Sequence, residues 1–526
     1  MLLELIVNNL QIPVEKDSLD QYLLAASQKL QTDLKEISLG RILSKSLDMR
    51  DPDQFYYKVS LTIITGAGFV NRQELEQYTP FNEPAKKTGN FSDRPIIVGF
   101  GPAGMFAALE LLDLGIKPVI FERGKKIEER SADVQQFIRQ RKLNPESNIQ
   151  FGEGGAGSFS DGKLFSRRNK NSSHTNRVLR TFVKFGAPAD IEFIAKPHLG
   201  TDVLCAIVRK IRLHILERGG EIHFGSKMTD LLVSRGKATG IIINEEQEYL
   251  SSRIIFALGH SARDTLEMMK FRGVAMEQRP VSVGVRIEHP TETINLMRYG
   301  EKYHHYSGLG AATYSLNFTD RKIHRGAYTF CMCPGGEVVN ASSSDGLLVL
   351  NGMSYSRRSS PYSNAALIVS CHTNDYPTAD PLAGVEFQKE IERKAFVAGG
   401  GNWSAPAQNL MDFLGNRHSA ELNESSFKMG VVSADMKTIF PAFVTEQLLA
   451  AFGKWKEEVP LFVSSQALLL GVETRTTSPV RISRNENFES INIKNLHPIG
   501  EGSGYTGGIT SSAVDAIKAV EKIGLS

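Results

Sequence analysis

Three glycines at the spacing of a nucleotide-binding turn are the first residues of this sequence that could do chemistry. They lie in Gly99-Phe100-Gly101-Pro102-Ala103-Gly104, between the apolar run 95–100 and a helix-like pattern. Glycine here permits a tight turn, the approach of a pyrophosphate and close helix–strand packing, while the helix start offers free N–H groups. Glu122 ends the next apolar run, where a carboxylate can accept hydrogen bonds from ribose hydroxyls. The pattern predicts a dinucleotide site, and the alternative is a glycine-rich turn that only permits packing.

A second glycine segment, near the end of the chain, favours FAD over NAD. Residues 497–512 read as a short strand, a glycine loop and a helix start. FAD needs a carboxylate for its ribityl hydroxyls and N–H donors for the N1–C2=O edge of its ring, which Glu501 and the helix start can supply. The alternative is a glycine-rich hairpin. The predicted contacts are Gly500, Glu501, Gly507, Gly508 and Ile509.

A third glycine segment, 152–164, lies between the other two. Its five glycines permit backbone conformations that other residues avoid. We expect it to lie against the pyrophosphate or the flavin, with Ser158 and Ser160 as donors, and the alternative is a flexible surface loop. The predicted contacts in and near this segment are Arg123, Gly154, Gly155, Gly157, Ser158, Ser160, Asp161, Gly162 and Lys163.

Further cofactor contacts are predicted where later strands end. His260 and Arg263 follow the predicted strand 254–258, whose carboxyl end should meet the cofactor, and the alternative is that they cap a helix. Gly259 and Met228 complete the predicted cofactor set.

Cys331-Met332-Cys333 allows three interpretations. With Cys371-His372 it could bind zinc, although this spacing is not that of a zinc knuckle. It could be a redox pair, although cysteines separated by one residue form a strained disulfide. The third interpretation is two thiols packed on opposite faces of a strand or at a bulge. We predict no metal site.

Two familiar redox arrangements are missing. Residues 123–165 contain no cysteine, which excludes the dithiol chemistry of disulfide reductases. No second complete GxGxxG is present, since Asn71 stands where a third glycine would follow Gly66-Ala67-Gly68. A built-in NAD(P)H domain is therefore not expected, and NAD(P)H remains possible as a transient electron donor.

The composition is that of an ordinary globular protein. The 526 residues are 41% hydrophobic and 23% charged, with a formal net charge of +3, which gives no reason to expect nucleic acid or an anionic membrane as partner. Four cysteines do not suggest a disulfide scaffold. The first residues lack the pattern of a signal peptide, so we expect a cytoplasmic protein.

Eight motifs of this chain are those of a known family: residues 154–164, 196–202, 257–264, 282–290, 328–336, 351–354, 473–481 and 500–508. Through these motifs the chain resembles a bacterial family of uncharacterized FAD-dependent dehydrogenases. The resemblance covers most of residues 94–526 and implies a glutathione-reductase-like FAD domain in two parts, interrupted by a second domain. It implies no particular reaction.

We therefore predict an α/β fold: a bipartite glutathione-reductase-like FAD-binding Rossmann domain with an inserted β-rich α+β domain and a small N-terminal α+β domain, for which a ferredoxin-like fold is one candidate. The β-rich domain should cap the flavin, as in p-hydroxybenzoate-hydroxylase-like flavoproteins, an analogy at the level of the fold. The predicted boundaries are an N-terminal domain at 1–80, a linker at 81–93, FAD-binding parts at 94–274 and 480–526, and the inserted domain at 275–479.

Three functions fit this pattern. The first is an oxidoreductase that transfers a hydride between a small-molecule substrate and N5 of non-covalently bound FAD. The second is an FAD-containing binding or regulatory protein, and the third, against which the near-neutral charge argues, is a flavin-dependent RNA-modifying enzyme. No catalytic residue is predicted. The substrate-pocket candidates are Arg286, His289, Cys333, Arg357 and Arg358, where the paired arginines would suit a carboxylate or phosphate.

Overall fold

The computed structural model describes residues 3–66, 69–80, 93–164 and 172–524. The chain begins with β1 (Glu4–Pro13), α1 (Leu19–Leu30), β2 (Ile37–Asp48) and β3 (Tyr56–Thr65), whose strands form an antiparallel sheet in the order β1-β3-β2. Helix α1 starts after Ser18, whose Oγ accepts the Gln21 N–H at 3.4 Å and so caps the helix. The described part of this N-terminal unit has one α-helix and three strands, fewer than a ferredoxin-like fold. Most of the predicted linker, 81–92, lies outside the described residues.

Strands and helices alternate over the next region. It contains β4 (Ile96–Val98), α2 (Pro102–Asp113), β5 (Val119–Glu122), α3 (Ile127–Gln140), α4 (Ser173–Lys184), α5 (Gly200–Glu217), β6 (Glu221–Phe224), β7 (Met228–Ser234), β8 (Lys237–Ile243), β9 (Gln247–Leu250), β10 (Ile254–Phe256) and α6 (Arg263–Phe271).

A β-rich region follows. It contains β11 (Met276–Gln278), β12 (Val281–Pro290), α7 (Thr291–Tyr303), β13 (Asn317–Asp320), β14 (Arg325–Cys333), β15 (Glu337–Asn340), β16 (Leu350–Met353), β17 (Tyr362–Cys371), α8 (Ala383–Ala398), β18 (Ala405–Asn409), α9 (Leu410–Leu414), β19 (Val431–Ser433), α10 (Ala442–Glu458) and β20 (Leu468–Glu473). The chain ends with β21 (Val480–Ile482), β22 (Leu496–Pro498) and α11 (Ile509–Ile523).

A five-stranded parallel sheet joins two distant parts of the chain. Its order is β22-β10-β4-β5-β6, so the chain leaves the sheet after β10 and returns to it at β22. One face packs on α2, α5 and α11, and the other contributes to a core shared with β7 and β8. Burial of both faces explains the continuous apolar runs from which β4 and β5 were predicted.

A seven-stranded sheet, in the order β13-β14-β17-β12-β20-β18-β19, dominates the β-rich region. Alternate residues of β12 point to opposite faces. Val281, Val283, Val285 and Ile287 belong to the largest apolar core. The second face carries Ser282, Gly284, Arg286 and Glu288, and the β15–β16 hairpin covers part of it, with Gly352 against Arg286.

The N-terminal unit packs against both larger regions. The Phe55 ring stacks on Tyr303 with centroids 4.3 Å apart. The Lys45 N–H donates to Phe193 O at 2.9 Å, and the Ala195 N–H donates to Lys45 O at 3.0 Å. Among the described residues, no helix combines the length and apolarity needed to cross a membrane.

Candidate cofactor and substrate site

The first glycine turn has a geometry that explains each glycine. Gly99 has φ of 98°, which favours glycine, and a Cβ on Gly104 would collide with the Gly99 carbonyl oxygen. Gly101 is the N-cap of α2, and a Cβ there would lie 3.6 Å from Gly155 Cα. The turn therefore presents a helix N-terminus with little side-chain bulk around it, as an anion-binding turn requires.

Glu122 lies at the end of β5, beside this turn. Its side chain is buried, with Oε2 accepting the Phe100 N–H at 2.8 Å and Oε1 accepting the N–H groups of Gly124 and Gly152 at 2.9 and 3.0 Å. Oε2 thus retains capacity for another donor. Its predicted role as ribose acceptor stays a prediction.

The third glycine segment lies between the starts of α2 and α11. The Gly154 N–H donates to Phe100 O at 2.8 Å, and a Cβ on Gly155 would lie 3.1 Å from Gly101 Cα. A Cβ on Gly157 would lie 3.0 Å from Ile509 Cγ1. The segment therefore packs against the starts of both helices, α2 and α11. Ser160 Oγ donates to Gly157 O, within the segment.

The last glycine segment, within residues 497–512, lies beside the start of α2 and leads into α11. A Cβ on Gly500 would lie 2.9 Å from Ala103 Cβ, and Gly508 is the N-cap of α11. A Cβ on Gly507 would meet no atom within 4 Å, so open space lies beside this helix start. Burial raises the pKa of the Glu501 carboxyl to about 7, partly offset by the charge of Arg279.

Two buried polar atoms near these glycine segments have no hydrogen-bond partner among the described residues: Ser158 Oγ and His260 Nε2. His260 Nδ1 lies 3.7 Å from Glu501 Oε1. Burial, reinforced by the charges of Arg475 and Arg263, lowers the pKa of His260 to about 3, so its imidazole is neutral. Buried polar atoms without partners are rare in folded proteins, so a polar ligand fits this place. The donors, carboxylates and two helix starts fit a dinucleotide such as FAD.

Other predicted cofactor contacts have protein partners. Arg123 forms ion pairs with Glu146 and Asp264, and Met228 is buried in an apolar core. Arg263 donates to both oxygens of buried Glu392, at 2.8 and 2.7 Å, and no side chain caps the start of α6. These placements give Arg123, Met228 and Arg263 structural partners.

Asp161 and Lys163 join the third glycine segment to the β-rich region. Both Asp161 oxygens accept hydrogen bonds from Arg358, at 3.1 and 2.6 Å, and Ser354 Oγ donates to Asp161 as well. Lys163 Nζ lies 3.1 Å from Asp161 Oδ2 and donates to Met332 O. The Asp161 side chain is thus committed to an interface between the two regions, a role that its position in a glycine loop did not indicate.

The structure brings two of the predicted substrate-pocket residues together, since Arg286 Nη2 lies 3.8 Å from Cys333 Sγ. Arg286 is fully buried and bonds to Glu473 and Asn364. His289 is fully buried too, with Nε2 2.8 Å from Phe462 O. Arg358 is paired with Asp161, and Arg357 is exposed. None of the five predicted residues lines either of the two cavities described below, and their role at a substrate stays a prediction.

The cysteines are free thiols. Pairing between β14 and β17 shifts register between Phe330 and Cys333, and Cys331 has φ of 45°, so the pair lies at a bulge. Burial raises the pKa of Cys333 to about 11 and also raises that of Cys331. Within the described residues, the single group with metal-ligand geometry is Glu292, His304 and His305, which contains no cysteine. The geometry favours the packing interpretation.

A cavity of about 440 Å³ lies where the β-rich region meets the start of α11. Its walls are residues 280–282, Tyr328, Phe330, 370–372, 476–477 and Gly507. Sequence reasoning named Gly507 as a cofactor contact and Cys371-His372 as possible zinc ligands, and it missed the other wall residues, although the alternation along β12 places Ser282 away from the apolar core. A smaller apolar cavity of about 60 Å³ between α3 and β15–β16 has room for a few waters only.

Comparisons with known proteins agree with this geometry. Residues 280–476 match a family described as "FAD-dependent protein, C-terminal domain-like". A protein of Clostridium beijerinckii, itself uncharacterized, is 39% identical over 531 residues, covering 98% of each chain.

Solved structures resemble the chain more distantly. The flavin-dependent brominase Bmp2 triple mutant is 11% identical, with a TM-score of 0.35, over 82% of this chain and 80% of that one. The glycerol-3-phosphate dehydrogenase of Bacillus halodurans complexed with FAD is 10% identical, with a TM-score of 0.35, over 83% and 65%. Scores this low support no statement about activity. On the full-length relative and the matched domain, the chain belongs to this family of FAD-dependent proteins.

Proposed function

We propose that the protein is an FAD-dependent oxidoreductase that transfers a hydride between a small-molecule substrate and N5 of non-covalently bound FAD. The observation that carries this proposal is the convergence of four chain segments, 99–104, 152–157, 257–260 and 500–509, at the starts of α2 and α11. In this proposal the two parts of the chain that share the parallel sheet form one glutathione-reductase-like FAD domain.

Different groups of the chain would bind different parts of FAD. The start of α2 would bind the pyrophosphate, because its first N–H groups have no partners within the helix. Glu122 Oε2 would accept a ribose hydroxyl, and Glu501 would accept a ribityl hydroxyl. The N–H groups at the start of α11 would hold the N1–C2=O edge of the ring. Bound FAD would supply the redox chemistry by accepting or donating a hydride.

The substrate would bind in the 440 Å³ cavity, because that cavity joins Gly507, at the flavin end of the site, to the second face of the seven-stranded sheet. The β-rich region would then be the cap that the sequence predicted. The proposed cavity lies mainly in the segment that was predicted to hold the substrate, but its wall residues differ from the predicted ones. They include Ser282, Tyr328 and Thr476, and they do not include Arg286 or His289.

Reduction of the flavin tests the proposal. Purified protein carrying FAD should be reduced by an electron donor, with NADH and NADPH tried first, and the reduced flavin should be reoxidised by an added acceptor over many turnovers. Gly101→Val should abolish FAD retention, because its side chain would occupy the path of the pyrophosphate. Gly453→Val is the matched control, since a Cβ there meets no atom within 4 Å. Retained FAD without turnover by any donor would instead favour a binding or regulatory protein.

A further inference from the structure

The walls of the 440 Å³ cavity carry no charged side chain among the described residues. Their polar groups are the hydroxyls of Ser282, Tyr328, Ser370, Thr476 and Thr477, the thiol of Cys371 and the imidazole of His372. The Arg325–Asp375 ion pair contacts the wall residues Ser370 and His372 through their backbone, and its two charges face each other. Arg325 donates to both Asp375 oxygens, at 2.8 and 2.9 Å, and to Ser370 O, and Asp375 accepts the His372 N–H. The cavity therefore offers a ligand hydrogen bonds and no counter-charge.

The imidazole of His372 already has hydrogen-bond partners within the protein. Its side chain accepts the Asp375 N–H, and Nε2 lies 3.3 Å from the carbonyl oxygen of His324. Both sides of the ring are therefore engaged by neighbouring backbone groups.

The hydroxyl and thiol groups of the walls are neutral. Tyr328 Oη and Ser282 Oγ share a hydrogen bond of 2.7 Å across β17, and burial raises the pKa of the Tyr328 phenol. Cys371 Sγ donates to Val369 O, and its thiol is buried. Thr476 Oγ1 donates to Ser282 O at 2.9 Å, which leaves its lone pairs to accept from a ligand.

We infer that the substrate of the proposed reaction is an uncharged molecule that hydrogen-bonds to these hydroxyls through a hydroxyl, carbonyl or amide group. An ion entering this cavity would lose hydration without gaining a counter-charge, and an uncharged molecule would exchange one set of hydrogen bonds for another. The inference rests on the proposed function, because it assigns the cavity to the substrate. It replaces the expectation that Arg357 and Arg358 bind a carboxylate or phosphate.

Three planar probes of nearly equal shape separate charge from size: benzamide, benzoate and benzamidinium. Their binding to the FAD-containing protein is measured both by calorimetry and by the shift of the flavin absorbance. Benzamide should bind with a Kd at least tenfold below those of the two ions. Equal or tighter binding of either ion, or binding of none of the three, would overturn the inference.

A positive charge introduced into the cavity wall should make the cavity bind an anionic probe more tightly. Thr477→Lys should raise benzoate affinity at least tenfold with the FAD content unchanged, and Thr438→Lys, on an exposed residue outside the cavity, should not. Unchanged benzoate affinity in folded Thr477→Lys would contradict the assignment of the cavity. A protein that takes up no FAD would instead defeat the proposed function, while calorimetry would still report which probe the cavity prefers.

Discussion

Replacement of Glu122 by alanine should weaken FAD binding by about 10- to 150-fold. Glu122 Oε1 already accepts two backbone N–H groups and Oε2 accepts one, so one ribose hydroxyl can be accommodated at Oε2. A hydrogen bond to a charged group contributes about 1.5–3 kcal/mol, and each 1.4 kcal/mol is tenfold in Kd. The three N–H groups left without an acceptor should also lower the thermal stability of the apoprotein.

The assay is titration of apoprotein with FAD, followed by flavin fluorescence. The control is Glu129→Ala, which removes an exposed carboxylate from α3 and should change neither the Kd nor the stability. Circular dichroism establishes that each variant is folded. A Kd within twofold of the unaltered protein, in folded Glu122→Ala, would show that the ribose binds elsewhere and that Glu122 only orders the turn.

Three other results are expected. Burial raises the pKa of Glu501 to about 7. The protonated carboxyl therefore contributes to the stability of the apoprotein at low pH, and this contribution is lost as the pH rises through 7. Glu501→Gln should remove this pH dependence from thermal melts between pH 5 and 8. Arg286→Met should destabilise the protein by about 3–5 kcal/mol in urea unfolding, because it leaves Glu473 buried without its partner, and the double variant Arg286→Met/Glu473→Leu should recover much of that loss. Replacement of Cys331 and Cys333 by serine should leave the rate of flavin reduction unchanged, and a rate that falls with both cysteines replaced would revive the redox interpretation.

Local patterns in the sequence predicted the parts of the fold that depend on local chemistry. Strand β4, the glycine turn after it and Glu122 at the end of β5 were found because a buried parallel strand is continuously apolar and a phosphate-binding turn needs glycine. Strand β2 was missed, because most of its side chains are only half-buried and its pattern does not alternate.

Partners that are far apart in the sequence could not be predicted. Arg263 was expected at the cofactor because it follows β10, yet its carboxylate partner, Glu392, lies 129 residues along the chain. Arg286 and Arg358 were expected in a pocket because a guanidinium group suits a substrate carboxylate or phosphate, and each instead pairs with a buried acid, Glu473 or Asp161. Ser282 and Tyr328 meet only because β12 and β14 flank β17 in the folded sheet.

The central claim is that this chain binds FAD without a covalent bond, and the flavin content of the purified protein tests it most directly. The protein should show the absorbance of a flavin, and after denaturation and removal of the polypeptide the supernatant should contain about one FAD per chain. Folded protein that carries no flavin, and that takes up none when incubated with excess FAD, would contradict the account.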